Sequence, residues 1–402
     1  RSTPKPSSAA SDVYKRQEKV QIYLSKYSGW YSISDEAYYT EEEVFEEDGK
    51  KKSITSGSEV EWMEEESYFF KLSDFEKKLL SFYEKNPDFV QPESRRNEVV
   101  SFIKQGLKDL SVSRTTFNWG ISVPGHKKHV IYVWLDALVN YISASNYFNK
   151  DQHAPWPADI HVIGKDILRF HAVYWPAFLM AADLPLPKKI FSHGWILSGD
   201  EKMSKSKGNI LDPIELINEY GVDEIRYYLA KEVVFGLDGK INKDNIEICV
   251  NDLANNIGNL TQRVFTLIEK YYDLKMPNTS DNYTKNSMTI IDSKNFVQYL
   301  SNLEIHNYIK EINKYSSKIN KYVNDNEPWN RKLNSDTNIR NILNTSINSI
   351  KNIFILLHPI MPKKSEYFLN LLGLKSFSIN NLKIDIPEGQ AISKPKILFK
   401  KY

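Results

Sequence analysis

Apolar positions along this chain pass through three regimes of spacing. Between residues 18 and 70 they come in short runs such as QIYLSKYSGWYSI, broken by Gly and Ser and followed by the acidic stretches EEEVFEED (41–48) and EEES (64–67). Short apolar runs between turn formers read as strands, so a small, irregular, β-containing insertion is expected. From 74 to 109, Phe75, Leu79, Leu80, Phe82 and Tyr83, then Val99, Phe102, Ile103 and Leu107, recur at three- and four-residue spacing around a break at Asn86-Pro87. That spacing predicts helix on both sides of the break. Three further runs read as buried strands: VIYVWL (130–135), IHVIG (160–164) and KIFSHGWIL (189–197). The first leads into a helix, and the second leads through Lys165-Asp166 into the helix ILRFHAVYWPAFLMAA. Strand and helix in alternation predict a parallel α/β sheet. From 245 to 372 only helical periodicity remains, as in IGNLTQRVFTLIEKYY and INSIKNIFILLHPI, and this part is expected to be an all-α bundle.

Composition supports a packed protein and sets outer limits. The chain has 402 residues, 41% hydrophobic and 13% aromatic, which excludes global disorder and at roughly 150 residues per domain gives two or three domains. One cysteine, Cys249, excludes an intrachain disulfide framework and a multi-cysteine zinc knuckle. No apolar run approaches the ~18 residues of a membrane span, and no secretory signal is visible, so a cytoplasmic protein with no membrane partner is expected. RSTPKPSSAASDVYKRQ (1–17) begins with Arg and lacks an apolar stretch. It reads as a linker or assembly artefact ahead of a chain already in progress.

Charge is unevenly spread. Residues 1–240 carry a net charge of −5 and residues 241–402 a net of +7, while asparagine rises from 8 in the first part to 26 in the second. The shift places a boundary near 235–245. It is compatible with a polyanionic partner for the basic half, and equally with Asn and Lys gathering on solvated helix faces.

The sharpest local signal is GDEKMSKSKGN (199–209). Lys202 and Lys205 lie three apart between glycines that let the loop move, and two ammonium groups so placed suit a polyphosphate. A generic run of this kind would be an exposed basic loop. Here, however, Lys202–Ser206 spells KMSKS, and VWLDA (133–137), HVIGKDILRFHAVYWPAFL (161–179), FSHGWILSGDEKMSKSKGN (191–209), YSGWYSISDEAYY (27–39), EESYFFKLS (65–73) and SRTTFNWGI (113–121) accompany it in order. Together these resemble the methionyl-tRNA synthetases, a class I aminoacyl-tRNA synthetase family, over about residues 18–395.

The resemblance implies a partial Rossmann-like α/β nucleotide-binding domain with a connective insertion, followed by an all-α anticodon-binding bundle. It divides the chain into residues 18–110 (insertion and start of the second catalytic half), 111–240 (second half of the catalytic domain), 241–376 (helical anticodon-binding domain) and 377–402 (tail). It implies methionine, ATP, Mg²⁺ and tRNA(Met) as what the family handles, and a monomer. A methionine pocket would be lined by Trp134, Leu138, Tyr141, His171 and Trp175, with Asp166 facing the ammonium. Aromatic edges suit a polarizable thioether. Taken singly, Asp166 is as well read as a helix N-cap, His171 as a satisfied core histidine and Trp175 as packing. ATP would meet His193, Gly194 and Ile196, with backbone near Trp195 and Ile196 at the adenine. Lys202 and Lys205 would act on the phosphates as the catalytic pair. Asn259 and Arg263, at i and i+4 on one helix face, would read the anticodon with Trp329 as stacking plate. Trp329 alone would be a helix-boundary core residue after Pro328.

Two departures from the family pattern stand out. The His-Ile-Gly-His signature is absent, so the first half of the nucleotide-binding fold is expected to be missing. Around Thr55-Ser56-Gly57-Ser58 the zinc cysteines of many members are absent too, so no structural zinc is expected. Two rival readings remain: a catalytically inactive tRNA-binding fragment, and a ligase for another apolar amino acid, for which the connective segment is too short to hold an editing domain.

Overall fold

A computed structural model of the chain describes residues 21–32, 37–39, 41–54, 56–116, 118–149, 155–199, 201–203, 211–279 and 291–402. The expected leader at 1–17, Thr55 and Lys205 lie outside them. The chain divides into two compact units, one ending at His193 and the other running from Gly194 to Tyr402.

The first unit opens with β1 (Ile22–Ser32), β2 (Ala37–Tyr39), β3 (Val44–Glu47), β4 (Lys50–Ser53) and β5 (Glu61–Phe70). The insertion is more regular than its broken apolar runs suggest: β1 and β5 form an unbroken antiparallel ladder from Ile22↔Phe70 to Tyr31↔Glu61. Its alternate residues are large on one face, with Tyr68 and Phe70 buried, which fixes the register. At its tip, where zinc cysteines would stand, hydrogen bonds close the turn. Ser53 N–H donates to Ser58 O (2.9 Å), Gly57 N–H to Ser53 O (2.8 Å) and Ile54 N–H to Glu43 O (2.9 Å). Trp30 donates its indole N–H to Glu41 (2.5 Å), and Lys51, paired with the same carboxylate, lies 4.4 Å over the indole.

Helices α1 (Glu76–Lys85) and α2 (Glu93–Lys104) follow on either side of the Asn86-Pro87 break, as the spacing predicts. Within that break lies a two-residue strand, β6 (Val90–Gln91), too short to leave a periodic signature. The short strands β7 (Leu110–Ser111), β8 (Ser113–Arg114) and β9 (Ser122–Val123) lead to β10 (His126–Ile131) and α3 (Val133–Ala144). Here the sequence reading needs correcting. VIYVWL is half strand and half helix, and β10 pairs antiparallel with β8 and β9, outside the parallel sheet.

The parallel sheet consists of β11 (His161–Gly164), β12 (Ile190–His193) and β6, in the order β11-β12-β6. Between β11 and β12 the chain makes a 3₁₀ turn at Lys165–Ile167, a π-helical turn at Phe170–Tyr174 and α4 (Trp175–Ala181). The single regular helix expected over this stretch is therefore three segments. The core of the unit lies between this layer and α1–α3, with Phe75, Leu79, Ile103, Leu135, Ala172, Phe178 and Ile190 fully enclosed.

KIFSHGWIL is also split. Its last residues form β13 (Ile196–Ser198), which opens the second unit and pairs with β14 (Glu201–Lys202) and, in parallel, with β15 (Gly239–Ile241). Helices α5 (Pro213–Tyr220) and α6 (Val222–Glu232) precede β15. After it come α7 (Lys243–Leu253), a second π-turn at Ala254–Gly258, α8 (Asn259–Tyr272), α9 (Ser293–Ser301), α10 (Ile305–Asn326), α11 (Asp336–Leu357) and α12 (Pro362–Leu371). One continuous core takes in Leu216 and Tyr228 ahead of β15, the helices after it, and Leu382, Ile386, Leu398 and Phe399 of the C-terminal segment. The composition shift near 240 thus falls inside a packed unit.

Helix α11 is buried on every side from Ile342 to Leu357. Its amides are used in the core: Asn344 Nδ2 donates to Pro277 O (2.9 Å), and Asn348 Oδ1 accepts from Ile386 N–H (2.9 Å). The fully buried Lys351 donates to Asn381 O (3.0 Å) and Ile384 O. A buried ammonium is tolerable only with such acceptors, and together these bonds hold residues 377–402 against the bundle. Three asparagines, Asn344, Asn348 and Asn352, are thus buried in the core, while the other described asparagines after residue 240 are exposed or half-buried.

Candidate functional site

In an open α/β sheet, ligands bind beyond the carboxyl ends of parallel strands. The carboxyl ends of β11 and β12 carry Gly164 and His193, which are level with each other in the parallel register. Asp166 lies in the 3₁₀ turn just beyond, exposed, with Gly164 as the extended residue ahead of that turn. It is not an N-cap. Its carboxylate instead folds back over Gly164, where a Cβ would lie 2.6 Å from Oδ1.

Beside this end lies an aromatic cluster. Helix α3 presents Trp134, Leu138 and Tyr141 along one stripe at i, i+4 and i+7. Trp134 stacks on Phe170, with ring centroids 3.7 Å apart at 12°, and meets His171 edge-on at 6.5 Å. Tyr141 donates its hydroxyl to His171 Nε2 at 2.8 Å, and His171 Nδ1–H donates to Ile167 O at 3.0 Å. These two bonds assign the neutral tautomer of His171, with the proton on Nδ1. Burial holds the imidazole below its ordinary pKa, outweighing the opposing hydrogen bond to Ile167.

His161 and Trp156 complete the cluster, and sequence reasoning passed over both, as well as Phe170. The His161 ring is 4.3 Å from Tyr141, 5.8 Å from Trp156 and 6.1 Å from His171, and Trp156 is 5.8 Å from Trp175. Burial, helped by the neighbouring His171, pushes the His161 pKa down to about 4. The cage is thus uncharged at neutral pH. His161 Nδ1 and Nε2, Trp156 Nε1 and Trp175 Nε1 are all buried without a hydrogen-bond partner. Buried polar atoms left unpaired call for an explanation, and four of them lie in this one cluster.

Within that stripe Leu138 is buried in the core, and Trp175 is 1% exposed. His171, inside the π-turn, and Trp175, directly after it, both lie against Tyr141, 5.7 Å and 6.3 Å from its ring. π-turns of this kind cluster at functional sites.

In the second unit, Gly194 has no room for a side chain, since a Cβ would come within 2.3 Å of the Leu237 carbonyl. The Trp195 N–H donates to Asp238 Oδ1 at 2.8 Å, and its carbonyl accepts from Gly239 N–H at 2.8 Å. Both backbone groups of Trp195 are therefore occupied, leaving Ile196, 39% exposed, as the open position of that pair. Lys202 is placed only by its backbone, opposite Leu197 on β14.

Among the helices, Arg263 on α8 is brought to Trp329, with its guanidinium 5.9 Å from the indole centroid. Trp329 is 42% exposed, too open for a core residue. Asn259, one turn earlier on α8, is exposed but borders a different space, a cavity of about 820 Å³ shared with Gln262, Lys364 and Lys400. The structure thus joins Arg263 to Trp329 and leaves Asn259 apart. Among the described residues no three His, Cys, Asp or Glu side chains are grouped to hold a metal ion, and no helix is long and apolar enough to cross a membrane.

Comparison with known proteins agrees with this architecture. Residues 47–265 match the family model described as tRNA synthetases class I (M). The chain is 44% identical over 404 residues to a methionine–tRNA ligase of Rickettsia conorii, covering 95% of this chain and 77% of the relative. It is 48% identical over 329 residues to one from Listeria innocua, covering 78% of this chain and 49% of that protein. A solved structure of Mycobacterium tuberculosis methionyl-tRNA synthetase in complex with methionyl-adenylate superposes with a TM-score of 0.92 at 39% identity, covering 98% of this chain and 80% of the other. The chain belongs to the methionyl-tRNA synthetases, the methionine–tRNA ligase family of class I enzymes.

Proposed function

We propose that this chain's sites serve methionine activation and its transfer to tRNA(Met). The carboxylate of methionine attacks the α-phosphorus of ATP and pyrophosphate leaves. A terminal ribose hydroxyl of the tRNA then attacks the acyl carbon of the adenylate and AMP leaves. No protein nucleophile is needed, so the protein acts by positioning and electrostatics. Trp134, Leu138, Tyr141, His171 and Trp175 hold the side chain, and Asp166 faces the ammonium. His193, Gly194 and Ile196 meet ATP, and Lys202 and Lys205 balance charge on the departing pyrophosphate. Mg²⁺ would arrive with the triphosphate and be held mainly by its oxygens. Asp238, just ahead of β15, already accepts from Trp195 N–H. Asn259, Arg263 and Trp329 read the anticodon.

The observation that carries the reading is the uncharged cage of Tyr141, His171, Trp134 and Trp175. A thioether is polarizable and carries no charge, and it gains from aromatic edges what a fixed ion could not give it. A titration with methionine, followed by tryptophan fluorescence through the stacked Trp134, tests it directly. Saturable binding of methionine with little response to leucine is expected; equal responses to both would overturn the assignment.

A further inference from the structure

Arg263 does not approach Trp329 freely. Its two terminal nitrogens are held by α10: one donates to Asn324 Oδ1 at 2.6 Å and the other to Asn320 Oδ1 at 3.1 Å. Asn320 is itself fixed from behind. Its Nδ2 donates to Asn256 Oδ1 at 2.8 Å, and Asn256 Oδ1 also accepts from Ser316 Oγ at 3.0 Å. Ser316, Asn320 and Asn324 repeat at four-residue intervals and so share one face of α10, while Asn256 sits in the π-turn that precedes α8. Burial holds the Arg263 pKa below its ordinary value, and Nε has no partner. The guanidinium is therefore clamped at one edge by neutral amides, not paired with a carboxylate, and it keeps its full positive charge beside the indole.

The amides of the clamp also line a neighbouring groove, balanced in charge, that Arg263 and Trp329 do not border. This groove of about 690 Å³ is lined by Asn255, Asn256, Asn313, Asn320 and Asn324, and its lysines, Lys231 and Lys321, are matched by Asp252 and Asp325. A balanced, amide-rich wall offers donors and acceptors to a base edge but no net attraction for the backbone.

We propose that Asn320, backed by Asn256, is a positioning residue for base discrimination: it fixes the Arg263 guanidinium beside the Trp329 plate so that one unpaired nucleobase is read in a single orientation. This rests on the anticodon reading of Trp329 and Arg263. Without the clamp, Arg263 would still attract RNA, but its donors would swing and accept several bases.

The test uses the full 402-residue chain and fluorescent anticodon stem-loops bearing CAU or single changes at each of its three positions. Wild type is expected to prefer CAU. Asn320→Ala should lower the preference at one position by ~10-fold or more, in line with the worth of a held polar contact to a base, while loops already mismatched there bind nearly as before. Asn320→Asp keeps an acceptor for Arg263 but loses the donor to Asn256, so it should keep more of the preference than Asn320→Ala and less than wild type. Asn324→Ala, at an exposed position, gives a second variant that folding cannot confound. If wild type shows no preference for CAU, the anticodon reading itself is overturned, and the proposal with it. If wild type prefers CAU and both alanine variants keep the full preference, only the positioning role is overturned.

Discussion

The buried His161 makes an acid-sensitivity prediction that can be worked through. Its ring is 4% exposed and neither nitrogen has a partner, and its pKa is held at about 4 against an ordinary value of 6.5. Because the folded value lies below the unfolded one, the unfolded chain takes up the proton first. The contribution is intact above about pH 6.5 and is lost as pH falls toward 4. Linkage makes the loss about 2 kcal/mol at pH 5 and about 3 kcal/mol at pH 4. His171, shifted the same way by burial, adds to it with the same sign. The perturbation is His161→Phe, which keeps an aromatic ring against Tyr141 and Trp156 and deletes two unpaired nitrogens, at a packing cost of about 1 kcal/mol or less. Urea unfolding followed by tryptophan fluorescence at pH 7 and pH 5 gives four stabilities. Acid effects of carboxylates are common to both proteins and cancel in the double difference. Wild type should lose about 2 kcal/mol more than the variant between the two pH values. Equal losses would mean that His161 is solvated in the folded protein and that the cage is not dry.

Three further outcomes follow, two from the geometry and one from the lysine motif. Tyr141→Phe leaves His171 Nε2 buried without a donor, which should cost about 1–3 kcal/mol and weaken methionine binding by calorimetry, whereas unchanged affinity would show that the hydroxyl bond does not shape the pocket. Gly194→Ala forces a methyl group into the Leu237 carbonyl and should lower stability by about 1–3 kcal/mol, read as a drop in Tm; an unchanged Tm would contradict the close approach. Lys205→Ala should slow methionine-dependent pyrophosphate exchange by ~100-fold or more with methionine affinity unchanged, and loss of methionine binding instead would assign the lysine to the wrong substrate.

What the sequence disclosed was decided by periodicity and by rare residues. The helices of α8, α10 and α11 carry apolar stripes long enough to be counted, and the KMSKS string is too particular to arise as a generic basic loop. The two-residue β6 could not be seen, because two residues have no period. The split of VIYVWL between β10 and α3 was hidden for a related reason: six consecutive apolar residues fit a strand and a buried helix start equally well. His161 and Trp156 escaped because each precedes an apolar run and reads as packing until the fold sets them against Tyr141. Asparagine enrichment was visible as a number only, and its place in the core of α11 and the clamp on Arg263 depends on partners 38 to 67 residues away.

The two π-turns sharpen this point. One, Phe170–Tyr174, contains His171 and directly precedes Trp175; the other, Ala254–Gly258, contains Asn256 and directly precedes Asn259. Both are flanked by helical residues; Pro176, just after the first, has no N–H to give Ala172 O, which accepts from Tyr83 instead, while the second contains no such residue. A π-turn adds one residue to a turn and so re-aims every side chain after it by about 100° relative to those before it. Such a change is invisible to any count of i, i+3 and i+4 positions. Here His171, inside the turn, and Trp175, after it, both lie against Tyr141 across the cage. The sequence alone could name the residues of these sites from their chemical types, but their mutual aim is set by tertiary packing that holds a wide turn open at a cost the surrounding core must cover. Replacing the buried partners of a π-turn should therefore disturb ligand preference before it disturbs folding.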